Sequence, residues 1–137
     1  MTCKKLTVLI CTLVSVFFFQ NSSFGQITFP SGSAIIDMGS TSPTVANSLK
    51  PYGLIYALLK NNHVPVSCVV NANKVKDGID FVYNGKSYRG GTYIISSDYI
   101  SSAVSTVLTG WANQGVIIDY TNSALTVTVS YKINFVP

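Results

Sequence analysis

Val64-Pro-Val-Ser-Cys-Val-Val70 is the stretch on which the predicted fold depends, because it is apolar at both alternating sets of positions. A strand with one face in water alternates apolar and polar residues, whereas a strand that is apolar on both faces is typical of a parallel sheet enclosed by helices. Shorter runs of the same kind occupy residues 33–38, 92–96 and 116–120. The sequence therefore predicts four buried strands.

Two amphipathic helices are predicted between these strands. Apolar residues recur at helical spacing over residues 45–59 and again over residues 100–111, and Gly115 ends the second helix. A repeated strand-helix-strand order is typical of α/β domains with right-handed crossovers. We therefore predict a single α/β domain over residues 26–137, with a mainly parallel, Rossmann- or flavodoxin-like sheet flanked by two main helices.

A β-hairpin insertion is predicted near residues 81–89. Its centre, Tyr83-Asn-Gly-Lys-Ser87, contains the Gly-Lys-Ser of a phosphate-binding loop, but that motif requires an earlier glycine and a helix directly after it. Asp80 occupies the position of that first glycine, and a predicted strand follows the motif. Asn84-Gly85 between alternating residues is instead the strongest short signal for a two-residue hairpin turn, so we predict no nucleotide site here.

The last part of the chain predicts a long C-terminal edge strand. From Leu125 to Phe135, apolar residues alternate with mostly polar ones, which indicates a strand with one buried face. At about 3.3 Å per residue, this strand extends beyond its shorter neighbours and leaves backbone amides unpaired. We therefore expect self-association through the C-terminal strand, or its continuation into a following domain, so that the chain is the N-terminal part of a longer protein.

A secretory signal peptide is predicted over residues 1–25. Lys4 and Lys5 precede an apolar run over residues 6–19, and small residues follow before Gln26. The run is shorter than the roughly 20 residues that a helix needs to cross a bilayer. We therefore expect cleavage before Gln26, no membrane span in the mature chain, and a secreted or cell-surface location.

Charge and composition exclude several classes of function. Loss of Lys4 and Lys5 lowers the formal charge from +4 to +2, so the mature chain lacks the basic surface that nucleic acid requires. His63 is the single histidine, glutamate is absent, and Cys68 is the one cysteine beyond the signal peptide. No metal site, cofactor or catalytic set is therefore predicted, and the chain is interpreted as non-enzymatic.

One constellation of polar residues suggests a ligand site. In open α/β sheets, ligands bind beyond the carboxyl ends of the parallel strands. The same residue types also cap helices and form turns, so the constellation has two readings, a ligand rim or ordinary loop structure. The predicted ligand rim consists of Asp37, Asn71, Asn73, Ser97, Asp98 and Asp119.

A family resemblance lies in four segments: GSAIIDMG (residues 32–39), TVANSLKPYGLIYALLKNNHVPV (44–66), KVKDGIDFVYNGKSYRGGTYII (74–95) and WANQGVI (111–117). In this order and spacing, they resemble the N-terminal module of large exported surface proteins of the Bacteroidetes group. The resemblance implies a secreted, non-catalytic module of an adhesin-like protein associated with type IX secretion, with a role in display or binding. The partners it implies are downstream β-domains and a surface glycan or protein ligand.

A weaker likeness, carried by residues 85–95, is to amidotransferase-like α/β domains. It implies an alternative function, a degenerate or uncharacterised amidotransferase- or hydrolase-like domain that uses Asp37, Asp98 and Asp119. That family places a nucleophilic cysteine at a strand-to-helix elbow, whereas Cys68 falls inside a predicted strand.

Overall fold

The computed structural model describes residues 25–40, 42 and 44–134. Two α-helices are present in this part of the chain, α1 (Lys50–Asn61) and α2 (Ser102–Ala112). A π-helical turn (Val45–Leu49) leads into α1, and a 3-10 turn (Ser97–Tyr99) precedes α2. The strands are β1 (Gln26–Phe29), β2 (Ala34–Ile36), β3 (Val66–Val69), β4 (Phe81–Tyr83), β5 (Lys86–Tyr88), β6 (Thr92–Ile95), β7 (Ile118–Tyr120), β8 (Leu125–Thr128) and β9 (Tyr131–Ile133).

The central sheet has five strands in the order β7-β2-β6-β3-β9, and each neighbouring pair in it is antiparallel. Two smaller antiparallel ribbons accompany it, β1 with β8 and β4 with β5. The predicted mainly parallel, Rossmann- or flavodoxin-like sheet is therefore wrong. The turn of the β4–β5 hairpin lies at Asn84 and Gly85, whose φ angles of 47° and 76° are both positive, as a two-residue hairpin turn requires.

The order of strands and helices along the chain was predicted correctly in outline, but the prediction of a parallel sheet wrongly assumed that the two strands joined by each helix are neighbours in the sheet. The units β2-α1-β3 and β6-α2-β7 each join strands that run in the same direction, as a crossover does. However, β6 lies between β2 and β3, and β2 lies between β6 and β7. This interleaving is the split β-α-β arrangement, also called ferredoxin-like. A strand-helix-strand rhythm is the same whether or not another strand is inserted between the two strands, so the sequence did not distinguish the two cases.

Both faces of the central sheet are covered, but by different layers. On one face, Ile36, Val66 and Ile95 pack against α1 and α2. On the other face, Ile35 and Ile94 pack against the two ribbons instead of a second layer of helices. This arrangement explains why runs such as residues 64–70 are apolar on both sides in an antiparallel sheet. The ribbon-side core contains Phe29, Ile35, Val69, Tyr88, Ile94, Leu125, Val127 and Val129.

The C-terminal segment forms two strands instead of the predicted single long edge strand. β8 pairs with β1 in a ribbon, whereas β9 is an edge of the central sheet beside β3. Ser130 lies at the break, where its hydroxyl donates to Val70 O (2.8 Å) and accepts from Val70 N (3.1 Å). The hydroxyl thus replaces backbone pairing where the chain moves from one sheet to the other. Phe135 and residues 1–24 of the predicted signal peptide lie outside the described residues.

Apolar residues of the first helical segment divide between its two faces. Leu54 and Leu58 are fully buried, whereas Tyr52 and Tyr56 are about half exposed.

α2 packs against α1 where Trp111 contacts Gly53. The contact is so close that a Cβ atom at position 53 would lie only 2.7 Å from Trp111 Cη2. Glycine at this position therefore permits the close approach of the two helices.

Candidate functional site

The predicted ligand rim is divided between the two ends of the antiparallel sheet. Ile36 pairs with Tyr93 and Val69 pairs with Thr92, so β2 and β3 end where β6 begins. Asp37, Asn71 and Asn73 therefore lie at one end, whereas Ser97 and Asp98 follow the end of β6 at the opposite end. Asp119 lies within β7, opposite Ile35. In a parallel sheet these residues share one edge, and the reversal of β6 separates them.

Asp37 and Asp119 are brought together by Lys86, a residue predicted from the sequence only as part of a hairpin. The Lys86 Nζ atom lies 2.9 Å from Asp37 Oδ2 and 2.6 Å from Asp119 Oδ2. Tyr88, two residues further along β5, donates from its hydroxyl to Asp119 Oδ2 at 3.1 Å. These four residues form an ion cluster that fixes the β4–β5 hairpin to the edge of the central sheet.

The ion cluster changes the acidity of two of its members. Burial lowers the pKa of the Lys86 ammonium, but the hydrogen bonds and charges of Asp119 and Asp37 outweigh burial and raise this pKa above its ordinary value of 10.5. Burial and then the negative charge of Asp119 raise the pKa of the Tyr88 hydroxyl above 10.0. The fold therefore favours a charged lysine and a neutral phenol, which are poor states for a nucleophile.

These shifts predict a loss of stability at alkaline pH. A lysine or tyrosine whose pKa is raised by folding contributes stability that is complete below its unfolded pKa, here near pH 10, and is lost as the pH rises above it. The free energy of unfolding of Tyr88→Phe should therefore fall less steeply above pH 10, by up to about 1.4 kcal/mol per pH unit. Chemical denaturation between pH 8 and pH 12 measures this slope.

Tyr52→Phe is the matched control, because Tyr52 is exposed on α1. The free energy of unfolding should fall less steeply with pH for Tyr88→Phe than for Tyr52→Phe, because the Tyr52 hydroxyl is not part of the ion cluster. Equal slopes for Tyr88→Phe and Tyr52→Phe would show that the ion cluster does not govern the alkaline response.

The tip of the β4–β5 hairpin is tied to the loop between β7 and β8. Tyr83 donates from its hydroxyl to Asn122 Oδ1 at 2.6 Å, and it accepts from the backbone amides of Asn122 (2.9 Å) and Ser123 (3.0 Å). Asn84 adds a bond from its side-chain amide to Asn122 Oδ1 at 2.9 Å. The hairpin is thus held at its tip as well as at the ion cluster.

Asp80 organises the loop that follows β3. Its Oδ1 atom accepts from Asn71 N at 2.9 Å, and its Oδ2 atom accepts from Gly91 N at 3.0 Å. Lys74 Nζ lies 2.6 Å from Asp80 Oδ1, and the Asp80 side chain is completely buried. One carboxylate therefore joins the loop over residues 71–74 to the backbone at Gly91.

A cleft of about 370 Å³ opens beside this loop, between the end of β3 and the β1–β8 ribbon. Two members of the predicted ligand rim, Asn71 and Asn73, line it. The other four do not. The complete lining is Gln26, Val69, Val70, Asn71, Ala72, Asn73, Asp80, Phe81, Thr126, Val127 and Thr128.

No residue of the opposite wall of this cleft was predicted from the sequence as part of a site. Gln26 was interpreted only as the expected first residue after cleavage, and no strand was predicted at residues 26–29, although polar and apolar residues alternate over this short segment. Thr126 and Thr128 do alternate with buried Leu125 and Val127, so their common polar face was a usable signal. The sequence did not show that the ribbon of β1 and β8 lies beside the loop after β3, so that Thr126, Thr128 and Asn71 line one cleft.

Cys68 and His63 lie apart from this cleft. Cys68 is buried within β3, and burial raises the pKa of its thiol above 9.0, which disfavours the reactive thiolate. His63 follows α1 with a positive φ of 53°. Within residues 25–40, 42 and 44–134, no group of three His, Cys, Asp or Glu side chains is placed to hold a metal ion.

Comparisons with known proteins leave the resemblance as a prediction. No protein-family model, no curated protein and no solved structure matches this chain. Among the described residues, no helix has the length and apolar character that a membrane crossing demands.

Proposed function

We propose that this chain is an exported, non-catalytic module whose role is display or binding at a bacterial cell surface. The observation that carries the proposal is the use of its carboxylates, because four of the five aspartates make internal contacts. Asp37 and Asp119 pair with Lys86, Asp80 is buried against Lys74, and Asp98 accepts from the Ser96 hydroxyl. The groups best suited to acid-base chemistry thus support the structure.

The composition supports an extracellular setting for this module. Charged residues make up 10% of the chain, against about 25% in an average soluble domain. Residues 1–25 have the charged start and apolar run of a secretory signal peptide. Export followed by a binding or display role accounts for both features.

The amidotransferase- or hydrolase-like alternative loses its structural basis. It required an α/β sheet and a rim that combines Asp37, Asp98 and Asp119. The sheet is antiparallel, and Asp98 follows β6 at the end of the sheet opposite Asp37. We therefore do not propose this activity.

Production of the full chain with a C-terminal epitope tag in a bacterium with an outer membrane tests the proposal. We expect the N-terminus of the tagged product to be Gln26, and the tag to be found in the medium or digested by protease added to intact cells. An uncleaved product that remains in the cytoplasm would contradict export and, with it, the proposed function.

A pair of arginine substitutions controls for the signal peptide. Leu13→Arg places a charge in the middle of the apolar run and should abolish processing, because a central arginine costs about 2.5–3.5 kcal/mol of membrane insertion. Gln20→Arg lies just beyond the run and should leave processing intact. If both variants are processed equally, the run does not act as a signal.

A further inference from the structure

The side chains that line the cleft beside β3 carry no net charge. Among the described residues, Asp80 is the one lining residue with an ionisable side chain, and its carboxylate is buried and paired with Lys74 at 2.6 Å. The exposed polar side chains of the lining are Gln26, Asn71, Asn73, Thr126 and Thr128. Of these, the Asn71 amide is bonded to Asn73 N and Ile79 O, and the Thr126 hydroxyl is bonded to the hydroxyl of Thr28. These side chains offer an anion or a cation no electrostatic advantage. They do offer both donors and acceptors at short intervals.

The loop that forms one wall of the cleft is held in its conformation before any ligand binds. Asn71 N donates to Asp80 Oδ1, and Asn73 N donates to Asn71 Oδ1 at 3.0 Å. Lys74 N donates to Asn71 O at 3.2 Å. Because the backbone of the loop is already bonded, binding has a lower cost in conformational entropy at this wall.

The floor of the cleft is apolar and includes an aromatic ring. Val69 and Val127 are buried, and Phe81 is half-buried with its ring stacked on Tyr88, the ring centroids being 4.8 Å apart. The stack fixes the Phe81 side chain at the cleft. The volume of about 370 Å³ is at the lower end of the range of ligand pockets, and it suits roughly one or two sugar rings.

From these features we infer that the cleft binds a neutral saccharide. Sugar hydroxyls both donate and accept, as amide and threonine side chains do, while the carbon-hydrogen surface of the ring matches the apolar lining at Val69 and Phe81. The inference rests on the proposed function and specifies the class of its ligand. In this arrangement, Asn73 and Gln26 contact the sugar from opposite walls.

Titration of the 15N-labelled full-length chain with defined oligosaccharides tests the inference. The neutral probes are maltohexaose, cellohexaose, mannohexaose and chitohexaose, and the charged probes are hexagalacturonate and the chitosan hexamer. We expect amide shifts from at least one neutral probe, centred on Asn71, Asn73, Phe81 and Thr128. The charged probes should bind at least about tenfold more weakly or not at all.

Two matched substitutions assign the binding to the cleft. Asn73→Ala should weaken binding of the neutral probe about fivefold, which is the effect expected from loss of one hydrogen bond. Asn61→Ala, at the exposed end of α1 in the helix layer, should leave the dissociation constant unchanged. Both positions are on the surface, so the amide spectrum of each variant serves as the check of folding.

Three results would overturn the inference: no shift with any neutral probe, binding of the charged probes alone, or equal affinities of Asn73→Ala and Asn61→Ala.

A neutral peptide, acetyl-(Thr-Val)3-amide, is titrated as well, to distinguish a saccharide ligand from a polypeptide. If it binds in the cleft while the sugars do not, the ligand is a polypeptide and the saccharide inference is wrong. In each case, export and N-terminal processing are measured separately, so failure of the inference is distinguishable from failure of the proposed function.

Discussion

Replacement of Asp80 with alanine should lower the free energy of unfolding by about 3–5 kcal/mol, because it removes a fully buried carboxylate that is paired with the half-buried Lys74 ammonium and bonded to two backbone amides. The carboxylate accepts from the amides of Asn71 and Gly91 and pairs with Lys74. Alanine leaves two backbone donors without their acceptor and the Lys74 ammonium without its counterion. Urea denaturation at pH 7, monitored by circular dichroism, measures the change.

Asp98→Ala is the matched control for this prediction. Asp98 is exposed and bonds only to the Ser96 hydroxyl, at 2.8 Å, within the described part of the chain. Its removal should cost no more than about 1 kcal/mol. A loss of less than 1 kcal/mol for Asp80→Ala would show that the loop after β3 is not held by the Asp80 carboxylate.

The same residue illustrates what the sequence could not reveal. In the sequence, Asp80 appeared only as an anion at a position where a phosphate-binding loop requires glycine. Its actual partners are backbone amides at residues 71 and 91, nine and eleven positions away. Backbone amides are the same at every position except proline, so no residue pattern marks the two that a carboxylate will bind.

Local features of the fold were accessible from the sequence, whereas strand pairing was not. Asn84-Gly85 specifies its own turn, since both residues tolerate positive φ. In contrast, the adjacent residues Ile35 and Ile36 indicate burial of both faces of β2 without identifying what covers each face. Helices cover one face and ribbons the other, and that choice depends on residues as distant as Phe29 and Leu125.

Two of the six residues of the predicted ligand rim line the cleft, and the other four do not. Asn71 and Asn73 were selected because they follow a strand, and both line the cleft. Asp37 and Asp119 were selected for the same reason, but the structure uses them to bind Lys86. The sequence therefore identified polar residues near strand ends, while the antiparallel order of the strands determined which of them face a common space.

Truncation of Tyr88 to alanine should cost about 3–5 kcal/mol, as is typical of large aromatic residues in a core. The Tyr88 side chain is 2% exposed, lies in the ribbon-side core and stacks on Phe81 with an angle of 13° between the ring planes. Its loss leaves a cavity between the β4–β5 hairpin and the central sheet. It also removes the support of Phe81, so the amide signals of the cleft should shift. Thermal or urea denaturation gives the stability, and the 15N spectrum gives the effect on the cleft.

Tyr88→Phe separates the contribution of the ring from that of the hydroxyl. Phenylalanine retains the stack on Phe81 but loses the hydrogen bond to Asp119, so at neutral pH it should cost only about 1 kcal/mol. Tyr52→Ala, on the exposed face of α1, should change stability by no more than about 0.5 kcal/mol. If the ribbon-side core contributes to stability, Tyr88→Ala should lower the free energy of unfolding far more than Tyr88→Phe or Tyr52→Ala does. Similar costs for Tyr88→Ala and Tyr52→Ala would mean that the helix-side core alone stabilises the sheet, and the β4–β5 ribbon would then be a peripheral attachment.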